Sequence, residues 1–211
     1  AVKYLVADGR FDYIETGSLI SIRENVENIT LPSEERKMSM YPMDFEEFIT
    51  NLGISESVVN SLREAWLKRT PVDAFVHQKL MDFFRLYLIV GGMPAAVSKY
   101  IETNNLQEVM GIQQQIIRLY KRDIAQYDPS NKLYIEDIFN LIPPELNAKN
   151  KRFILKRLNE NAKFNRMENS FLWLTNAGVA LPVYNVEEPK LPLLLSRSRN
   201  LFKLFQNDVD L

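Results

Sequence analysis

The spacing of apolar side chains predicts a chain built mainly from helices. Between residues 42 and 127, apolar positions recur at intervals of three and four, which is the spacing of one helical face. The pattern predicts helices over residues 42–51, from Ser55 to about Trp66, from Thr70 to Val90 and over residues 106–127. Gly53 suits the end of the first helix, and Pro71 suits the first turn of the third.

The third helix ends in an unusual corner. An apolar run closes at Gly91-Gly92, Met93 follows, and Pro94 opens a further helix that is predicted to reach about residue 101. Glycine lets the backbone take positive φ and approach a neighbour closely. A helix start with free N–H groups beside a small apolar surface suits a nucleotide base. A plain helix–turn–helix corner is the alternative, and the local sequence by itself favours it.

After residue 131 the pattern changes to short helices followed by strands. We expect a helix around residues 135–142 that Pro143-Pro144 breaks, a second over residues 152–158 and a third over residues 164–176. Strands are predicted at residues 179–186 and 191–195, joined by a turn, and these two strands should pair. Three helices followed by a two-stranded ribbon describe a winged helix. A further strand begins at Phe202 and is expected to stay unpaired.

The chain opens with a different signal. Residues 11–15 form a short β-rich run, and Thr16-Gly17-Ser18 follows directly. Small hydroxyl side chains after a strand are typical of ligand sites at the carboxyl ends of α/β strands. Because one strand makes no parallel sheet, we expect the rest of the sheet to lie upstream of residue 1.

Composition narrows the possible chemistry. The 211 residues are 46% apolar and 25% charged, as in a globular chain, and the net charge of -1 provides no global field for nucleic acid or an acidic membrane. Without cysteine, the chain has no disulfide or thiolate zinc site, which fits a reducing, cytoplasmic compartment. His77, the one histidine, is interpreted as a solvated side chain. No apolar run is long enough to span a bilayer, and no metal site is predicted.

Six segments, in order, resemble one family. Together the segments cover nearly the whole chain, and each is weak by itself; they are residues 11–19, 40–48, 87–94, 120–124, 170–178 and 201–209. The chain resembles the prokaryotic AAA+-type (P-loop) ATP-binding proteins that carry a C-terminal nuclease-like domain of unknown function. The resemblance implies the end of an α/β ATPase core with its sensor-1 strand (residues 1–41), a helical lid (42–128), a winged helix (129–199) and the start of a truncated C-terminal domain (200–211).

The same resemblance implies site residues. Thr16 and Ser18 are similar to the tip of the sensor-1 strand, where a polar side chain faces the γ-phosphate, and an ordinary strand-to-loop cap is an equal alternative. Gly91, Gly92, Met93 and Pro94 resemble the Gly-x-Pro motif of related ATPases, whose proline packs on adenine. Arg36 would reach a phosphate, or is a solvated surface arginine.

One departure from the family sets the expected activity. None of the 7 glycines is followed by lysine, so the chain contains no Walker A loop, and no apolar strand ends in the paired acids that hold Mg²⁺. We therefore expect a fragment that lacks the Walker A and Walker B segments. ATP with Mg²⁺ would bind in the full-length protein only, and this chain alone should not hydrolyse it.

A basic segment supplies a second hypothesis. Seven cations lie within residues 149–166, where Glu160 is the only acid. As phosphate-binding residues in front of a winged-helix recognition helix we consider Lys151, Arg152, Lys156, Lys163 and Arg166. The alternative is a solvated face of a small domain. A regulatory module that switches an unidentified protein partner is the third possibility.

Overall fold

The computed structural model describes residues 7–14, 36, 38–127, 132–158 and 164–211, and this part of the chain is mainly helical, as predicted. The helices are α1 (Phe45–Asn51), α2 (Glu56–Lys68), α3 (Ala74–Val90), α4 (Pro94–Thr103), α5 (Leu106–Tyr127), α6 (Lys132–Asn147) and α7 (Phe164–Asn176). Two 3₁₀ turns cover Leu155–Arg157 and Leu193–Ser196, and the strands are β1 (Ala180–Val186) and β2 (Arg197–Gln206).

The chain divides into two compact units. We call Tyr41–Lys132 together with Gln206–Leu211 the helical unit, and the described residues before Tyr41 together with those of Leu133–Phe205 the ribbon unit. The chain therefore enters the helical unit twice. The functional division into an ATPase core, a lid and a winged helix stays a prediction.

Local capping fixes where the helices of the helical unit begin. The Asp44 carboxylate accepts a hydrogen bond from the Glu47 N–H at 2.9 Å, and the Glu47 carboxylate accepts one from the Asp44 N–H at 3.0 Å, so α1 starts with a capping box. Helix α3 begins at Ala74 with Asp73 as its cap, so the predicted start at Thr70 is wrong. The physical reason is that the Asp73 carboxylate accepts hydrogen bonds from two free N–H groups at once.

One apolar core joins these helices. Helix α4 packs along α5, and α3 contacts α1, α4 and α5. The side chains that they bury against one another are Phe48, Ile49, Val59, Val90, Ala96, Val97 and Val109. This arrangement buries Val90, Gly91 and Gly92 between the two helices, whereas Pro94 at the start of α4 is exposed.

The helices of the ribbon unit differ from the prediction at two places. Helix α6 continues through Pro143 and Pro144 to Asn147, so the predicted break is wrong. The apolar face formed by Ile135, Ile138 and Ile142 is fully buried, and that packing holds the helix although proline removes backbone hydrogen bonds. The predicted helix over residues 152–158 is also wrong, because that segment contains one 3₁₀ turn. The predicted helix over residues 164–176 is confirmed as α7.

The sheet uses a different second strand from the one predicted. Strand β1 pairs with β2, whereas residues 193–196 form a 3₁₀ turn, so the strand predicted at residues 191–195 is wrong. The strand predicted from Phe202 is confirmed as part of β2, but the expectation that it stays unpaired is wrong. The alternation of buried and exposed side chains explains why residues 197–206 form the second strand, because Phe202 and Leu204 point into the core and their neighbours do not. Phe202 contacts the rings of Phe153, Phe171 and Tyr184.

The strand predicted at residues 11–15 is not formed in residues 11–14, and Glu15 lies outside the described residues. The side chains of Phe11 and Ile14 are exposed. A strand needs a partner for its backbone groups, and the part of the chain that the structure describes contains one sheet, made of β1 and β2.

A buried ion pair ties the 3₁₀ turn of the ribbon unit to α6. Glu145 is only 1% exposed, and its Oε1 lies 3.1 Å from Nη1 of the half-exposed Arg157. A buried carboxylate that loses its cation remains uncompensated in a medium of low dielectric constant. Arg157 therefore has a structural role within the basic segment.

We expect Arg157→Ala to lower the free energy of unfolding by about 1–3 kcal/mol, because Glu145 would lose its counter-charge. Lys156→Ala, at the exposed neighbouring position, is the matched control and should change it by less than about 0.5 kcal/mol. Thermal and urea unfolding of both variants provide the measurement. Equal effects of the two substitutions would contradict a structural role for Arg157.

Candidate functional site

The corner between α3 and α4 is the candidate site, and we call residues 91–94 the glycine corner. Helix α3 ends at Val90, Gly91 has a φ of 77°, and its N–H donates to the Tyr87 carbonyl at 2.8 Å. Pro94 occupies the first turn of α4, as predicted. Both glycines are buried, Met93 is half-buried and Pro94 is exposed. The chain bends by 118° here.

On one side, the backbone around Met43 packs directly on Gly92. The Met43 N–H donates to the Gly92 carbonyl at 2.8 Å, and the Tyr87 hydroxyl donates to the Met43 carbonyl at 2.8 Å. A Cβ atom added to Gly92 would collide with the Met43 backbone. The close approach that the glycines predict is present, and the neighbour at Gly92 is the protein's own main chain.

On the other side, the glycine corner is covered by residues 206–211, which we call the tail. The Gly92 N–H donates to both carboxylate oxygens of Asp208 at 2.9 Å, and Asp208 is only 6% exposed. The Asp210 carboxyl lies where a Cβ atom on Gly91 would stand. Both backbone polar groups of Gly92 are thus used in tertiary contacts.

Helix α5 supplies the third set of contacts. Gln113 is 8% exposed, and its Nε2 donates to the Ile89 carbonyl at 2.8 Å and to the Val90 carbonyl at 3.4 Å. These are carbonyls at the end of α3 that have no partner within the helix. Further along α5, the Tyr120 hydroxyl hydrogen-bonds to the side chain of Asn207 in the tail.

The electrostatic environment of the glycine corner is acidic. Burial and the negative charge of Asp208 raise the pKa of Asp210 to about 7. Burial also raises the pKa of the Tyr87 and Tyr120 hydroxyls, and nearby carboxylates add to both shifts. The carboxylates that add to these shifts are Asp44, Glu47, Asp208 and Asp210.

A surface groove beside Met43 continues this acidic character. Its lining includes three glutamates, Glu46, Glu47 and Glu56, together with Thr50 and Asn51. In the groove, Glu46 is ion-paired with Arg63, so Glu47 and Glu56 supply the negative charge. At the glycine corner, a phosphate group would meet the carboxyl of Asp208, which already accepts from the Gly92 N–H. The surroundings therefore suit an uncharged group better than an anion.

Several predicted site residues lie elsewhere or outside the described part. Thr16, Ser18 and Lys163 are outside the described residues, and for Arg166 the structure describes the main chain of α7 only. Arg36 is exposed. Their predicted roles stay predictions.

The basic segment is exposed as predicted over its described part. Lys149, Lys151, Arg152 and Lys156 are all solvent-exposed between α6 and the end of the 3₁₀ turn. Among the five cations of this segment whose side chains the structure describes, Arg157 is the one with an ion pair to a described acidic side chain. Four cations within eight residues are consequently accessible to an anionic ligand.

Two further findings concern membranes and metals. Within the described ranges, no single helix is long and apolar enough to span a bilayer; α3 and α4 meet those criteria only as a pair that is bent at the glycine corner. No group of three or more histidine, aspartate or glutamate side chains is arranged for a metal ion in the part of the chain that the structure describes.

Sequence reasoning missed the residues that close the glycine corner. Asp208 and Asp210 flank Val209 directly after the apolar positions of β2, and Gln113 sits among apolar residues of α5. The available signal was the presence of polar side chains at positions where the periodicity predicts burial. Nothing local indicated that they meet Gly91 and Gly92.

We expect Gly92→Ala to lower the free energy of unfolding by about 1–3 kcal/mol, because the new Cβ displaces the Met43 backbone. Gly111→Ala is the matched control. Gly111 lies inside α5 with open space around it, so alanine there should stabilise by about 0.5–1 kcal/mol. Differential scanning calorimetry would distinguish the two, and a neutral Gly92→Ala would contradict the close packing.

The comparison with known proteins covers the glycine corner. Residues 81–211 match the family model described as Domain of unknown function (DUF8612), and the match includes the second half of α3, α4, the ribbon unit from α6 onward and the tail. No curated protein and no solved structure matches the chain. Since the matched residues make up more than half of its length, the chain belongs to the DUF8612 family.

Proposed function

We propose that this chain is the lid and winged-helix portion of an AAA+-type ATP-binding protein, and that it contributes nucleotide sensing without hydrolysing ATP by itself. One observation carries the proposal. Three of the six segments on which the resemblance rests meet at the glycine corner, through Met43, through Tyr87 and Gly92, and through Asp208. A fourth segment contacts the tail, through the hydrogen bond between Tyr120 and Asn207. Gly92 and Asp208 are 116 residues apart in the chain.

These contacts support the proposal because segments that are far apart in the sequence pack on one another at the place where the resemblance puts the adenine contact. In the ribbon unit, α6, a 3₁₀ turn and α7 precede the β1–β2 pair, so the described part has a 3₁₀ turn where a winged helix has its second helix. We also propose a cytoplasmic location, which fits a chain without cysteine.

The geometry limits which part of ATP this chain would contact. The Gly92 N–H is bonded to Asp208, and Met43 covers the Cα of Gly92, which leaves Met93 and the exposed Pro94 as the accessible apolar surface. Adenine is uncharged and flat, so it fits that surface, whereas the triphosphate does not fit the acidic surroundings. The phosphates and Mg²⁺ would be held by the P-loop and Walker B segments that the resemblance places upstream, with Thr16 and Ser18 as the sensor residues.

In the protein expressed from its complete reading frame, Pro94→Ala should weaken ATP binding by roughly twofold to fivefold, since one apolar contact to adenine is lost. Pro71→Ala, at an exposed position before α3, is the control and should leave the affinity unchanged. Isothermal titration calorimetry gives the affinities, and a thermal melt checks folding. Equal affinity in the two variants, or ATP hydrolysis by the 211-residue chain alone, would refute the proposal.

DNA binding by the ribbon unit is the second candidate function. The observation that favours it is the exposed run Lys149, Lys151, Arg152 and Lys156, none of which is ion-paired with a described acid. In a winged helix, α7 would be the recognition helix, and this run precedes it. Phosphate contacts of this kind release counterions and give salt-dependent affinity.

If the basic segment binds DNA, the double substitution Lys151→Glu and Lys156→Glu should weaken binding to a duplex. The slope of log Kd against the logarithm of the salt concentration should also decrease by about 1–2. The control is charge reversal at Lys68 and Lys79, two exposed lysines of the helical unit. Fluorescence anisotropy between 50 mM and 200 mM salt, about the range in which such affinities change most, provides the test. Binding that ignores salt, or that both double variants weaken equally, excludes this role.

A further inference from the structure

The tail places two carboxyl groups side by side on two adjacent glycines. Asp208 binds the Gly92 N–H through both carboxylate oxygens, and the Asp210 carboxyl rests against Gly91. The Oδ atoms of Asp210 are shielded from solvent. The tail directly continues β2, so these contacts decide whether residues 206–211 stay on the helical unit.

The Asp208 carboxyl group acts as an acceptor through both of its oxygens. Both of its oxygens accept from a backbone N–H, and Oδ1 also accepts from the Val209 N–H at 2.7 Å. Hydrogen bonds from N–H groups to a charged acceptor are stronger than those to a neutral one. The start of α4, two residues beyond Gly92, contributes a positive dipole end that favours the same charge.

The surroundings of Asp210, in contrast, oppose a second negative charge. It faces Asp208 within the tail, Gln113 and Tyr120 on α5, and Tyr87 on α3. Beyond Tyr87, the N-terminal end of α1 presents Asp44 and Glu47. Among the described residues these groups include no cation. Ionising Asp210 while Asp208 is charged therefore sets two like charges together in a poorly solvated place.

We propose that the tail is a latch on the glycine corner, which is closed while Asp210 carries a proton and opens when both aspartates are ionised. Opening would release the Gly92 N–H and uncover both glycines. The latch involves only groups of the helical unit, so it does not depend on the proposed nucleotide function.

The direction of the pH effect follows from proton binding. With the tail in place, burial and the charge of Asp208 raise the pKa of Asp210 from an ordinary 3.8 to about 7. The closed state therefore holds the proton more tightly than the released state does. The closed state is therefore most favoured below pH 3.8, the ordinary pKa of the Asp210 carboxyl. It becomes less favoured as the pH rises from 3.8 to about 7, and it is least favoured above about pH 7.

Hydrogen exchange at the Gly92 amide reports the latch directly, because that N–H is bonded to Asp208 only while the tail is docked. In the wild-type chain we expect its protection factor to fall on the order of 10- to 100-fold between about pH 5 and pH 7.5. Asp210→Asn, which stands in for the protonated acid, should keep full protection at both pH values. Asp208→Ala should lose protection at both. Asp82→Asn, an exposed acid of α3, is the matched control and should behave as wild type.

The outcomes separate cleanly. If protection in the wild type does not change with pH, or if Asp210→Asn shows the same pH dependence as the wild type, the latch is refuted. Dispersion of the remaining amide signals verifies folding of each variant, and Asp210→Asn decides the question even where Asp208→Ala does not fold. ATP affinity measured on the same variants tests the nucleotide proposal separately, since that proposal can fail while the pH response of Gly92 remains.

Discussion

The helical unit depends on the peptide groups around Gly92. Its N–H is bonded to Asp208, its carbonyl accepts from Met43, and the space beside its Cα is filled by the Met43 backbone. One residue thereby fixes the bend between α3 and α4, the position of the segment that leads into α1 and the docking of the tail. A side chain at Gly92 would displace the Met43 backbone, and one at Gly91, where φ is positive, would displace the Asp210 carboxyl.

The sequence was most informative where a single physical signal acts. The bounds of α5 and α7 are as predicted, since a long amphipathic period leaves little choice of conformation. Glycine and proline also predicted a corner at residues 91–94. They could not predict its partners, because the residues around Gly92 do not indicate that it contacts Asp208, which lies 116 residues away in the chain. The candidate site was thus located from sequence, and the acids that close it were not.

Competition between similar signals explains the remaining errors. Residues 191–195 and 201–205 are both apolar, and the second segment became the strand because Phe202 and Leu204 fit the aromatic core beside Phe153. Pro143 and Pro144 failed to end α6, since the burial of its isoleucines outweighs the lost backbone bonds. These are tertiary effects, and periodicity alone does not rank them. Thr16 and Ser18, on which the sensor-1 hypothesis depends, are outside the described residues.

The discontinuity of the helical unit has a consequence for how it is made. During synthesis, residues 41–132 emerge from the ribosome well before residues 206–211, and most of the ribbon unit is made in between. Until then the Gly92 N–H has no Asp208, and the end of α3 and the start of α4 are exposed on that side. Long sequence separation slows the closure of such contacts. Vectorial synthesis therefore leaves this unit incomplete and exposed to chaperones and proteases until the ribbon unit has been made.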